Sequence, residues 1–360
     1  MKQRIPQTTW VPPTEMGRRR FLARSGGLML GAAVLPAFLA ACGDDDSPAA
    51  AGASDGSLTP LAFQLGWLKG VQFGGHFAGI EQGYFADEGV DPDFRSGGPN
   101  IDQISVVTSG QALIGDAGSD ELVVARAAGL PVVAIAAGFQ RSPFALMSLA
   151  DAPIESLADM IGKTIAVSDG SRPQVEGLME KEGLDPTEVN FVPKNPDPSV
   201  LPDGAVDGYF GFSTNEGTTL KEAGIDIVTT FASDLGALTY ANVLFTTDEA
   251  LAENRDLILR FLRADVAGWQ WAIDNPEELA EVVIEKYAAD GLELGPQTAE
   301  AIAQVELINA GDAIENGLFW IDAPTFELNI ADALAAGLIE EEIDAADVFT
   351  QELIAEVHSA

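Results

Sequence analysis

The chain has 360 residues, 47% of them hydrophobic, with 56 acidic side chains against 19 basic ones. A formal charge of −37 at pH 7 excludes nucleic acid and anionic headgroups as partners, because both are polyanions. A single cysteine and two histidines exclude an intrachain disulfide and leave no Cys/His set for a metal.

Arg18-Arg19-Arg20 runs into Phe21-Leu22, and an apolar stretch from Gly27 to Ala41 follows. That stretch is shorter than the ~20 residues a membrane-spanning helix needs and contains Pro36, so it reads as the core of a signal peptide. The Arg-Arg-Arg-Phe-Leu run is similar to a twin-arginine export motif. Leu39-Ala40-Ala41-Cys42 is similar to a lipobox, in which the cysteine thiol takes the lipid and becomes the new N-terminus. Residues 1–41 are therefore expected to be removed, Cys42 to be lipidated, and 42–58 to form a flexible tether. The alternative is an uncleaved anchor with an incidental cysteine. Six of the basic residues and one acidic residue precede Cys42, so the mature chain carries about −42, a charge compatible with a salt-rich habitat.

Leu61–Trp67 alternates as a first strand, and Gly74–Gly83 starts a helix with Phe77 and Ile80 three apart, Phe77 toward the core. A second strand lies near Asp93-Phe94-Arg95, a turn at Gly97–Asn100, and a helix over Ile101–Ser109. Ala112–Gly115 is a short strand, Gly118-Ser119-Asp120 caps a helix reaching Ala128, and Pro131–Ala137 is a buried-type strand. Beyond Ser142-Pro143 the rhythm restarts. Strands are expected at Thr164–Val167, Asn190–Pro193, Val206–Phe210 and Asp226–Thr230, with helices at Ser156–Ile161, Gln174–Glu182 and Thr218–Ala223. Val243–Thr247 then leads into helices at Glu249–Asn275, Pro276–Ala289 and Thr298–Ala310. Strands alternating with helices imply largely parallel sheets, and two such runs imply two α/β lobes flanking a cleft.

Several runs in order carry a resemblance: Trp67 with Val71-Gln72-Phe73-Gly74-Gly75-His76, then Gly83-Tyr84-Phe85, Glu88-Gly89-Val90-Asp91 and Gly97-Gly98. Further on come Ala127–Val133, Gln140 with Pro143, Leu157–Lys163 and Val206-Asp207-Gly208. From Leu61 to Ala289 the chain resembles the solute-binding proteins related to thiamine-pyrimidine and alkanesulfonate binders, the NMT1/THI5-like group. The resemblance implies a two-lobed periplasmic-binding-protein (type II, Venus-flytrap) fold with a parallel or mixed sheet in each lobe and C-terminal helices. Lobe 1 is expected to take 59–142 and 243–360, lobe 2 143–242, with crossovers near Gln140–Ala145 and Tyr240–Leu244. It also implies an extracytoplasmic, lipid-anchored monomer that delivers a small solute to an ABC permease, without a cofactor. Relatives of this fold that synthesise the thiamine pyrimidine rely on a Cys-rich segment and a lysine-bound cofactor, and this chain has no cysteine beyond Cys42.

Candidate ligand residues follow from strand ends and helix starts. Trp67 ends the first strand and offers a rigid stacking surface, or else belongs to the lobe core. Phe73 and His76 share that neighbourhood; His76 is either a ligand group or a structural hydrogen-bonder. Gly98 and Asn100 sit in a turn whose free N–H groups suit an oxygen-bearing solute, or else it is a plain turn. Ser119 and Asp120 either bind solute or cap their helix. Gln140 lies at the first crossover and Tyr240 at the second, where it could stack opposite Trp67. Ser171 opens a helix after a strand, and Asn215 and Glu216 follow another. The resemblance places a ligand-facing carboxylate in that last stretch, assigned to Glu216, which suits an aminopyrimidine-like edge; riboflavin and sulfonates are the alternative solutes.

Overall fold

The structure, a computed structural model, describes residues 58–98 and 100–359. The signal-peptide, Cys42 and tether expectations lie outside the described residues, Leu58 excepted. Among the described residues no helix is long and apolar enough to cross a membrane.

The first half opens with β1 (Thr59–Gln64), α1 (Gly74–Glu81), α2 (Tyr84–Asp87), β2 (Val90–Arg95), α3 (Gln103–Thr108), β3 (Ile114–Ala117), α4 (Ser119–Ala127) and β4 (Val132–Phe139). Then follow β5 (Phe144–Leu149), β6 (Thr164–Val167), α5 (Arg172–Lys181), β7 (Asn190–Pro193), β8 (Gly208–Phe212), α6 (Glu216–Glu222) and β9 (Ile227–Phe231). The chain returns through β10 (Ala241–Thr247) to α7 (Asp248–Asp274), α8 (Pro276–Lys286), α9 (Leu294–Ile308), α10 (Ala313–Asn316), α11 (Ala323–Ala335), α12 (Ala345–Val348) and α13 (Glu352–Ser359).

Two five-stranded sheets result, ordered β2-β1-β3-β10-β4 and β7-β6-β8-β5-β9. β1 runs parallel to β2 and β3, and β6 parallel to β7 and β8. Each sheet also holds one strand antiparallel to both neighbours, β10 in the first and β5 in the second. Both follow a crossing between lobes, so the chain enters the new sheet from the opposite end. Sheet membership thus groups 59–139 with 241–247 and sets 144–231 apart. No strand is expected over β5, whose first two residues overlap the crossover expected near Gln140–Ala145; the segments between sheets are 140–143 and 232–240.

The lobe 1 core is aromatic. Phe63, Phe85, Phe94 and Phe261 lie with ring centroids 5.2 to 6.1 Å apart, and each is at most 5% exposed. Burying each side chain contributes ~1.5–3 kcal/mol. α1 packs on α7 at backbone distance because glycines face the contact. A Cβ on Gly75 would lie 2.1 Å from the Trp269 ring, and one on Gly268 2.4 Å from the Gly75 carbonyl oxygen.

The segment after Gly311, for which the sequence offered no motif, fastens the crossovers. Gln140 donates from Nε2 to the carbonyls of Ala137 (3.0 Å) and Trp320 (2.7 Å). The Tyr240 hydroxyl donates to Asp322 Oδ1 at 2.9 Å. Asn329 on α11 accepts the Ser119 hydroxyl at 2.5 Å and donates to the Leu238 carbonyl. The two crossovers are themselves tied, Arg141 Nη2 meeting both oxygens of Asp234 at 3.0 and 2.9 Å.

Candidate functional site

The carboxyl edge of the lobe 1 sheet is built by short contacts between loops. Gln64, at the end of β1, donates from Nε2 to the carbonyls of Leu65 (2.9 Å) and Ser96 (3.2 Å), tying β1 to the segment leaving β2. The Gly66 N–H donates to Asp116 Oδ1 at 2.6 Å, and the Gly97 N–H to the Trp67 carbonyl at 2.8 Å. Side chains have no room here: a Cβ at Gly66 would lie 2.3 Å from Asp116 Oδ1, and one at Gly97 2.3 Å from the Leu65 carbonyl oxygen. Trp67 is thereby held on a fixed backbone, with the residue 43% exposed. Gly98 (φ 141°) and exposed Asn100 share this edge, so three of the expected residues come together.

Asp116 was missed, although an acid inside the apolar run Ile114–Ala117 is itself a signal. It is 3% exposed, and its Oδ2 is buried without a hydrogen-bond partner. Burial pushes its carboxyl up to about 7, against the pull of His76 and the Gly66 N–H.

Phe73 and His76 do not join this edge. They are 0% and 1% exposed and have no surface to offer a solute. His76 Nδ1 lies 2.6 Å from Oδ1 of fully buried Asp265 on α7, and its ring stacks on Phe94 at 5.0 Å. The pair fastens α1 to α7. Burial raises the Asp265 carboxyl while His76 opposes the rise. Phe77 is likewise fully buried, stacked on Tyr287 at 4.4 Å.

Three further candidates are committed to the crossovers. Ser119 is 0% exposed, accepts the Tyr240 N–H at 3.0 Å and donates to Asn329. Tyr240, 4% exposed, packs on Phe326 rather than opposite Trp67, and burial holds its hydroxyl well above the usual tyrosine range. Gln140 is spent on the two carbonyls already described.

In lobe 2, Ser171 stands at the N-terminal end of α5, where its hydroxyl accepts that of Ser168 at 2.8 Å rather than capping the helix. Glu216 is 8% exposed and its carboxylate has partners on both oxygens: Lys194 on Oε1 and the Phe212 N–H on Oε2 at 2.8 Å. A solute would have to displace one of them. Asn215 instead crosses between lobes, donating from Nδ2 to Glu300 Oε2 on α9 at 3.1 Å. Glu300 is 2% exposed, also accepts Gln297 Nε2 at 2.7 Å, and burial pushes it up to about 8.

A cavity of about 430 Å³ lies between α3 and α4 of lobe 1, α5 of lobe 2, and α11. Its wall starts at Asp120 and Gly170, just past β3 and β6, and runs outward to Leu130, Lys181 and Leu338. Most of the wall is apolar. Asp120, the one expected residue on it, has Gln174 Nε2 of the other lobe at 3.4 Å from its Oδ2, and burial raises its carboxyl. Asp102, Gln103, Gln174 and Asp332 were missed, because what makes them neighbours is contact between lobes.

The NMT1/THI5-like family model matches residues 71–279. A formylaminopyrimidine-binding protein of Halalkalibacterium halodurans is 27% identical over 69% of this chain and 75% of its own length. The riboflavin-binding protein RibY of Chloroflexus aurantiacus is 24% identical over 83% of this chain and 87% of its own length. Among solved structures, the periplasmic aliphatic sulphonate binding protein SsuA of Escherichia coli superposes with a TM-score of 0.63 at 14% identity, covering 81% of this chain and 93% of that one. The two-sheet fold and the span of the family match agree, and the chain belongs to the NMT1/THI5-like family.

Proposed function

We propose that this chain is the extracytoplasmic solute-binding subunit of an ABC importer, and that its cleft takes a flat, nitrogen-rich heteroaromatic solute of the aminopyrimidine kind. The observation that carries the reading is Trp67: a residue with a large indole, 43% exposed and fixed by the Asp116–Gly66 contact at the carboxyl edge of β1. A rigid exposed ring in that place stacks on a planar ligand at little entropic cost. The neighbouring acids and amides suit a solute rich in N–H donors, as the names of the formylaminopyrimidine and riboflavin relatives also suggest.

Binding rather than catalysis is supported by the state of the reactive side chains. His76 is enclosed against Asp265, and Glu216 is held by Lys194. Export through the twin-arginine-like leader, lipid attachment at Cys42, action as a monomer and delivery to a membrane permease complete the proposal. A sulfonate is the second reading, favoured by Lys69: it is half-buried two residues past Trp67, with no carboxylate in ion-pair range among the described residues.

Thermal shifts against aminopyrimidines, riboflavin, taurine and alkanesulfonates test this. A solute at a hundred times its Kd stabilises the fold by ~2.7 kcal/mol. The expected result is a shift with an aminopyrimidine or riboflavin that Trp67→Ala abolishes. A response to sulfonates alone, lost in Lys69→Ala, would replace the aromatic solute with the anionic one.

A further inference from the structure

We propose that the cavity between α4, α5 and α11 holds a second part of the same solute, an apolar group carrying a positive charge. The inference rests on the reading of the cleft as the solute site and adds what the rest of the solute must be.

The wall combines an apolar floor with an acidic rim. Ile104, Val124, Ala125, Leu178 and Ala333 contribute the floor. The volume falls in the ~300–1,000 Å³ range of small-molecule sites. Both lobes contribute, so an occupant touches α4 and α5 at once and favours closure.

The rim carboxyls differ in what they already hold. Asp332 pairs with Lys181 at 2.7 Å, and Asp102 caps α3 through the Ser105 N–H (3.0 Å) and hydroxyl (2.5 Å). Glu121, on the exposed rim, accepts Gln103 Nε2 at 2.9 Å. Asp120 has the backbone N–H groups at the start of α4 and, on Oδ2, the long 3.4 Å approach of Gln174. It follows directly on β3, and its side-chain partner is farther away than those of the other three. A cation beside it gains a charge-assisted contact in a partly desolvated place. An anion gains nothing, since Lys181, the single base on the wall, is already paired. The strongly negative chain also draws cations toward its clefts.

The test is calorimetric titration of the purified protein with two probes: a hydroxymethyl aminopyrimidine, and thiamine, which joins an aminopyrimidine to a cationic thiazolium. Thiamine is expected to bind at least tenfold tighter than the pyrimidine alone, on the order of one charge-assisted contact. Asp120→Asn should remove about that tenfold for thiamine and leave the pyrimidine unchanged. Val124→Phe, which fills the floor, should erase the advantage of thiamine without changing binding of the head. Thiamine binding no tighter than the pyrimidine would overturn the cavity assignment alone. Variants that weaken both probes equally would do the same. Failure of both probes with the native protein would overturn this inference together with the aminopyrimidine reading beneath it.

Discussion

Replacing Glu300 by glutamine should flatten the pH dependence of stability. Glu300 is buried at the contact between α9 and α6, with its carboxyl pushed from an ordinary 4.5 up to about 8. Between those values the folded chain keeps a proton that the unfolded chain has released. Stability contributed by this group is therefore full below pH 4.5 and falls as pH rises, by about 1.4 kcal/mol per pH unit, until about pH 8. From pH 5 to pH 7 the loss is about 3 kcal/mol. Gln297 Nε2 and Asn215 Nδ2 both donate to Oε2, so a glutamine carbonyl in that place can accept both. Glu300→Gln should then keep the contacts and lose the titration. Urea unfolding at pH 5, 6, 7 and 7.5 reads the difference: the native chain should lose about 3 kcal/mol more than the variant over this range. Asp116, raised to about 7, gives both proteins a common slope of the same sign. Parallel lines for the two proteins would refute the reasoning.

Other outcomes follow from the same contacts. Gly268→Ala places a methyl 2.4 Å from the Gly75 oxygen and 2.7 Å from the Gly79 nitrogen, so α1 and α7 must part; a loss of about 1–3 kcal/mol in urea is expected, and a change under about 0.5 would contradict it. Asn329→Ala strands the Ser119 hydroxyl and the Leu238 carbonyl, for about 2 kcal/mol; combined with Ser119→Ala the losses should fall short of additive, whereas full additivity would uncouple the two residues. The formal charge of −37 should make the melting temperature climb with added sodium chloride, and a flat curve would remove self-repulsion, and the salt-rich habitat with it, from the account.

The edge of the cleft was legible in the sequence to the extent that strand ends reveal it. Trp67, Gly98, Asn100 and Asp120 all follow an expected strand, and the structure sets them at the lobe 1 carboxyl edge or on the cavity wall. Phe73 and His76 were misplaced because the chain turns through Val71–Phe73 before α1 begins, which sends both inward. The partner of His76 is Asp265, 189 residues on, and no local pattern announces it. Glu216 reads as a free carboxylate until β7 brings Lys194 beside it. β5 was missed because Phe144–Leu149 alternates poorly and is buried on both sides through its middle four residues. α11 acts through long-range contacts with the crossovers and with α5, so its own residues give no sign of its role.

The central claim is that the two lobes hold a planar solute at the edge carrying Trp67. Hydrogen exchange with and without a saturating aminopyrimidine tests it most directly. Protection is expected in 64–70, 96–105 and 168–174, the segments that border the cleft. Protection confined to other surfaces, or unchanged exchange under conditions where calorimetry shows binding, would contradict it.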